Sequence, residues 1–162
     1  MTGRRRRFHG APGRFESVAA FIGERYPGAA RYVADVAGGQ GMLSRILRKR
    51  YNLEAEVVDP RGYTLKGVPG RAVCFDPDDA DYYDLIVGLH PDAATRAIAT
   101  AALVRPTILI PCCNFWSEER LGQRELLEAI EAMYREHGVS CERVRFDFPG
   151  PKNVGLVSTP PG

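Results

Sequence analysis

The sequence predicts an α/β sandwich: a largely parallel, seven-stranded sheet covered by helices on both faces and finished by an antiparallel pair of strands. Three observations predict it. Short apolar runs alternate with stretches whose apolar residues recur every three or four positions, from Phe15 to Tyr134. A glycine-rich turn, "DVAGGQGMLSR", joins the first apolar run to the helical pattern after it. Beyond Gly138 the alternation stops, and two strand-like runs follow with only "PGPKN" between them.

Each element has its own signal. Phe15, Val18, Ala19, Ile22 and Tyr26 share one helix face, and Pro27-Gly28 ends the pattern. "RYVADVA" reads as the first strand, and Met42, Leu43, Ile46 and Leu47 stripe the helix that runs to Tyr51. "AEVVDP" is a second strand stopped by Pro60, "RAVCF" a third ending near Asp76-Pro77, and "YDLIVGL" a fourth. "AATRAIATAALV" is helical with Asp92 as its N-cap, and "TILIPC" is the fifth strand. Ser117 with Glu118 and Glu119 starts a helix that places Leu121, Leu127, Ile130 and Tyr134 on one face. "RVRFDF" and "VGLVST" supply the last two strands. A sheet of this kind binds ligands beyond the carboxyl ends of its strands, where the strand order reverses.

With 162 residues, 44% hydrophobic and 26% charged, the chain has the balance of one globular domain, placed at 15–162 behind a basic arm at 1–14. No apolar run approaches the roughly 20 residues that span a bilayer, and no signal-peptide pattern opens the chain, so a cytoplasmic protein without a membrane partner is expected. The four cysteines, at 74, 112, 113 and 141, contain no CxxC pair, which points away from a zinc ribbon or a disulfide framework. Arg4, Arg5, Arg6, Arg7 and Arg14 all precede the first acid, Glu16. That run is either a solvated terminus or an arm for RNA phosphates.

The glycine turn has three possible uses: the pyrophosphate of a dinucleotide, the amino-acid end of S-adenosylmethionine, or a tight loop alone. Read from Gly39 it is G-x-G-x-x-S, with Ser44 where a dinucleotide fold wants a third glycine. Asp59, 20 residues after Gly39, ends the second strand, where a carboxylate accepts from both ribose hydroxyls of either cofactor. Asp35 opens the turn as D-x-A-G-G-Q-G, and here the sequence resembles the first motif of class I S-adenosylmethionine-dependent methyltransferases, with Ala37 in place of the first glycine. The resemblance extends over residues 15–158. It implies a Rossmann-like fold, S-adenosylmethionine as cofactor, and a binding wall of Asp35, Ala37, Gly38, Gly39, Gln40 and Gly41. Asp59 with Pro60, Leu89 at the end of the fourth strand, and Asp76 as an acceptor for the adenine amino group complete that wall.

The acceptor edge should follow strands four and five, at "GLHPDAAT" and "PCCNFW". The pair resembles a branch of methyltransferase-like proteins, some tRNA ribose methyltransferases among them, with a histidine after the fourth strand and adjacent cysteines after the fifth. It implies roles for His90, Cys112 and Cys113, and Asp92 and Asn114 beside them complete the catalytic candidates. His90 is either a base suited to neutral pH or a histidine satisfied at a strand end. Asp92 reads more simply as a helix cap. Cys112 or Cys113 is either a thiolate nucleophile for a pyrimidine ring or a buried, inert thiol, and His90-Pro91 stands where the nucleophilic route wants a proline-cysteine pair. A metal needs more ligands than these two cysteines, with His90 as the candidate third, and none is expected. Asn114 offers hydrogen bonds to a base edge, while Phe115 and Trp116 either stack on a planar acceptor or pack on the next helix. The function expected is methyl transfer to RNA. A small aromatic or heteroaromatic acceptor comes second, and third is a non-catalytic nucleoside-binding module that relies on a protein partner for recognition.

Overall fold

The first helix, α1 (Arg14–Arg25), buries Val18, Ala19 and Ile22. The next, α2 (Met42–Arg50), buries Leu43, Ser44, Ile46 and Leu47. Helical periodicity puts each set on one face, and the two faces share a core layer with Val33, Ala55, Leu85, Val87, Ile108 and Ile110 of the sheet. A second layer forms on the other side. There α3 (Thr95–Ala101) and α4 (Gln123–Glu136) supply Ile98, Ala99, Leu126, Ile130 and Tyr134 against Ala34, Val36, Ile86, Leu109 and Leu156. These come from a computed structural model that describes residues 13–162.

The sheet between the layers contains β1 (Tyr32–Val36), β2 (Glu54–Val58), β3 (Gly70–Arg71), β4 (Leu85–Leu89), β5 (Thr107–Ile110), β6 (Ser140–Arg145) and β7 (Val154–Thr159). Their spatial order is β3-β2-β1-β4-β5-β7-β6. All pairs are parallel except those of β7, which runs antiparallel to β5 and to β6. The chain crosses from the β1-β2-β3 half to the β4-β5 half between β1 and β4, so a crevice opens at the carboxyl ends of these two neighbours. β4 is buried along its whole length, as a strand covered on both faces must be.

Several expected elements are corrected. "RAVCF" is not a strand beyond Arg71: Val73 is exposed, and the segment leaves the sheet at once. Asp76 caps a short 3₁₀ turn instead, its Oδ1 accepting from the Asp78 amide at 2.9 Å. The helix expected at Ser117 starts at Gln123, because Glu125 reaches back to the Gly122 amide at 3.2 Å. The sixth strand begins at Ser140 and stops at Arg145, short of Phe148. Arg14, assigned to the arm, is the first residue of α1. Arg4 to Arg7 lie outside the described residues. No helix among the described residues is long and apolar enough to cross a membrane.

Candidate functional site

The turn after β1 is built around one buried acid. Asp35, 2% exposed, accepts from the Ser44 hydroxyl at 2.8 Å and the Ser44 amide at 3.2 Å, tying the end of β1 to the first turn of α2. Gly38 lies directly over that carboxylate, and a Cβ there would fall 2.5 Å from it. Gly41 has φ 86 and no room either, with Val57 at 2.7 Å from a Cβ. Ala37 also takes positive φ, at 54. Burial pushes the Asp35 carboxyl up to about 6; the Ser44 hydrogen bonds oppose the rise and the nearby Asp59 charge adds to it.

Asp59 is buried as well and already fully engaged. Its carboxylate accepts from the Gly39 amide at 2.9 Å, from the Arg61 amide at 2.9 Å, and from the Arg61 guanidinium at 2.7 Å. Burial raises its pKa, but the hydrogen bonds from Arg61 and Gly39 and the Arg61 charge outweigh that and hold it below the ordinary carboxylate range. Arg61, two residues past the acid, escapes the motif-based reading of the sequence, although a cation that close to a strand-end carboxylate is a readable signal.

The crevice is a cavity of about 820 Å³. One wall is Asp35, Ala37, Gly38, Gly39 and Gln40; the opposite wall is Leu89, His90, Asp92, Cys112 and Cys113. Phe148 to Lys152, the loop joining β6 to β7, and Arg14 with Phe15 of α1 close it. The two halves of the expected site therefore meet, but Asp59 does not line the cavity: behind Gly39, it lines a separate small one with Val57, Gly62 and Thr64. Another cavity, of about 720 Å³, runs along β2 and β3 from Tyr32 and Glu54 at the amino ends to Val58 and Arg71 at the carboxyl ends, and takes in none of the predicted site residues.

Pro60, Asp76 and Asn114 are not brought in either. Asp76 is exposed outside the cavity, where it caps its turn. Pro60 is exposed beyond the cavity wall. Asn114 folds its own loop, its Oδ1 accepting from the Trp116 amide at 3.1 Å and its Nδ2 donating to the Ser117 carbonyl at 3.2 Å. Trp116 packs away from the cavity, with the Arg96 guanidinium 4.2 Å from its ring centre. Gly41 contributes through backbone conformation at the start of α2.

His90 has φ 53 and Asp92 φ 49, so the residues flanking Pro91 both take the left-handed conformation that side chains disfavour. The bend aims each at a partner. His90 Nε2 lies 2.8 Å from the Lys152 carbonyl, an acceptor only, so Nε2 carries the proton and Nδ1 keeps the lone pair. Burial lowers the His90 pKa, the Lys152 carbonyl opposes this, and the Arg14 and Lys152 charges lower it further. The Phe148 ring meets the imidazole edge to face at 6.1 Å between centres. Asp92 does not cap α3: its Oδ1 accepts from the Cys112 thiol at 3.0 Å. Neither cysteine is buried; Cys112 is partly covered and Cys113 exposed. Desolvation and then the Asp92 hydrogen bond push the Cys112 thiol up to about 12.

No family model matches the chain, and no curated protein matches it in sequence. Solved structures do. The sugar N-methyltransferase KedS8 from a Streptoalloteichus species aligns over 100% of this chain and 99% of its own, with TM-score 0.60 and 16% identity. CalS10, an amino pentose methyltransferase from Micromonospora echinaspora solved with S-adenosylmethionine bound, aligns over 90% and 91%, with TM-score 0.58 and 15% identity. A protein described as a hemolysin, from Streptococcus thermophilus, aligns over 99% and 71%, with TM-score 0.62 and 10% identity. Identities this low establish the fold alone, the Rossmann-like sandwich of class I methyltransferases, because a fold does not name a chemistry.

Proposed function

We propose that the protein is a class I S-adenosylmethionine-dependent methyltransferase. The reading is carried by the meeting, in one cavity, of the Asp35–Gly39 turn with His90 and the Cys112–Cys113 pair across it. Its support from outside the chain is that KedS8 and CalS10, which share the fold, are methyltransferases.

The residues present fit that cofactor. Gly38 packs without a Cβ on the Asp35 carboxylate, the turn from Gly38 to Gln40 lines the cavity beside that acid, and a volume of about 820 Å³ suits a nucleoside cofactor together with a small acceptor. Asp35 with Gly38 to Gln40 would hold the amino-acid end, and Asp59 the ribose once Arg61 releases it. Bound there, the cofactor supplies an electrophilic methyl group on a sulfonium. The chain supplies alignment and a base. His90, fixed as the tautomer with a free Nδ1, takes the proton of the acceptor heteroatom. The Cys112 thiol, held by Asp92, is not the thiolate that attack on a pyrimidine ring demands.

For the acceptor, a small molecule fits this enclosure best. Arg14, the described member of the arginine set, lines the cavity, and Lys152 faces it from the hairpin loop. RNA is the second reading and rests on Arg4 to Arg7; it requires that removing residues 1–7 flatten the salt dependence of RNA affinity by about 0.7 per lost phosphate contact. Calorimetry with S-adenosylmethionine, its demethylated product and NAD tests the cofactor, and tritiated-methyl transfer to small-molecule, protein and RNA fractions tests the acceptor. Preferential binding of NAD would sink the reading; tight S-adenosylmethionine binding with no transfer to any fraction would favour a binding module that depends on a protein partner.

A further inference from the structure

The geometry points to a second ligand in the same cavity: we propose that Asp92, Cys112 and Cys113 bind one soft divalent cation of the zinc class, with its fourth position open to the cavity. One ligand atom from each residue lies within 4.8 Å of the other two, and Cys112 Sγ is 3.0 Å from Asp92 Oδ1. A tetrahedral zinc with sulfurs about 2.3 Å away separates two sulfurs by about 3.8 Å, so separations within 4.8 Å need tighten by no more than about 1 Å to close on an ion. In the sequence the pair of cysteines lacks a third ligand, and His90 is the candidate to supply it. The fold gives His90 to Lys152 and delivers Asp92 instead, from the loop after β4 to the loop after β5.

The donor set selects the ion. Two thiols exclude magnesium and calcium, which take oxygen, and favour zinc among the ions of the cell. Charge also balances: two thiolates and a carboxylate carry three negative charges, met by the divalent ion and by the cations alongside. Lys152 Nζ stands 3.9 Å from Cys113 Sγ, and Arg14 lines the same cavity as both cysteines. Three protein ligands with the fourth position toward a cavity is the pattern of a zinc that handles a substrate rather than one that staples a fold. The fourth ligand would be water or the sulfur or oxygen of the acceptor. Cys74 and Cys141 are outside the triangle and serve as internal controls.

The test is titration of the reduced, chelator-treated full chain with cobalt(II), read by absorption. One equivalent should give sulfur-to-cobalt charge-transfer bands with the intense visible bands of a tetrahedral ion, and zinc should displace them. Cys112→Ser and Cys113→Ser should each remove about half of the charge-transfer intensity, Asp92→Asn should keep it but weaken affinity by at least about tenfold, and Cys141→Ser should change nothing. Far-ultraviolet circular dichroism of each variant establishes that the fold persists. Ligation requires both thiols to lose their protons, so affinity should climb steeply with pH. Absence of sulfur-to-cobalt bands at one equivalent, or bands that survive in the Cys112→Ser/Cys113→Ser double variant, overturns the proposal. None of these readouts depends on S-adenosylmethionine, so the methyltransferase reading and the metal site stand or fall separately.

Discussion

At Asp59 the buried carboxylate that should receive a ribose is held by Arg61, whose side chain is 68% exposed. Binding a nucleoside exchanges one set of hydrogen bonds for another, so the two residues should have opposite effects. Asp59→Ala should weaken binding of the demethylated cofactor by about one to two decades, the cost of losing bonds to a charged acceptor. Arg61→Ala should tighten it up to about fivefold, the scale of an exposed ion pair. Calorimetry finding both variants weakened would make Arg61 a ligand contact rather than a competitor. Asp35 makes a different prediction. Its folded-state pKa of about 6 lies above the ordinary value of 3.8, so its contribution favours the folded state at low pH and is lost as pH rises through about 6. Asp35→Asn should therefore raise the unfolding free energy above about pH 7, by at most about 3 kcal/mol, and leave it little changed near pH 4, while cofactor affinity falls. Equal effects at both pH values would remove the buried charge as the cause.

At the scale of elements, the glycine turn is legible in the sequence because its requirements are local. Gly38 must lack a Cβ to pass Asp35, whereas a Cβ added to Gly39, at φ 60, would meet nothing nearer than Arg61 at 3.6 Å. Gly38→Ala should thus displace the acid and abolish cofactor binding, while Gly39→Ala should cost only about 1 to 2 kcal/mol of backbone strain. Urea unfolding with cofactor titration compares the two, and equal losses would mean that backbone strain rather than space governs the turn. The elements that sequence misplaces depend on contacts it does not print. "RAVCF" has strand composition, but only Gly70 and Arg71 find a partner in β2, and Phe75 turns into the core. Ser117 has the residue type of a cap, yet Asn114 consumes that segment in its own loop and Glu125 caps the helix later. Asp92 resembles a cap for the same reason; the positive φ that sends it to Cys112 leaves no trace in a single sequence.

At the scale of the molecule, the site is assembled from parts more than a hundred residues apart: Arg14 in α1, Asp35 after β1, His90 after β4, and the loop from Phe148 to Lys152. The antiparallel pair is legible from the missing helix, and its role is not, because strand order decides that β7 lies beside β5 and carries this loop over the crevice. The loop orients His90, the proposed base: the Lys152 carbonyl fixes the imidazole tautomer, the Phe148 ring meets its edge, and Asn153 Nδ2 donates to the Phe148 carbonyl at 2.9 Å to hold the turn. Removing the base and loosening its support should therefore differ. His90→Ala should leave affinity for the demethylated cofactor nearly intact and slow transfer by about two or more decades, because the proton acceptor is gone and the cofactor wall is not. Phe148→Ala empties a site that is 5% exposed and should destabilise the fold by about 3 to 5 kcal/mol. Assayed at a temperature where it remains folded, it should lower kcat by less than His90→Ala does, and adding it to His90→Ala should lower kcat little further, since both act through one imidazole. Fully multiplicative losses in single-turnover rates would detach the hairpin from the base, and a normal rate in His90→Ala would place proton removal elsewhere in the cavity.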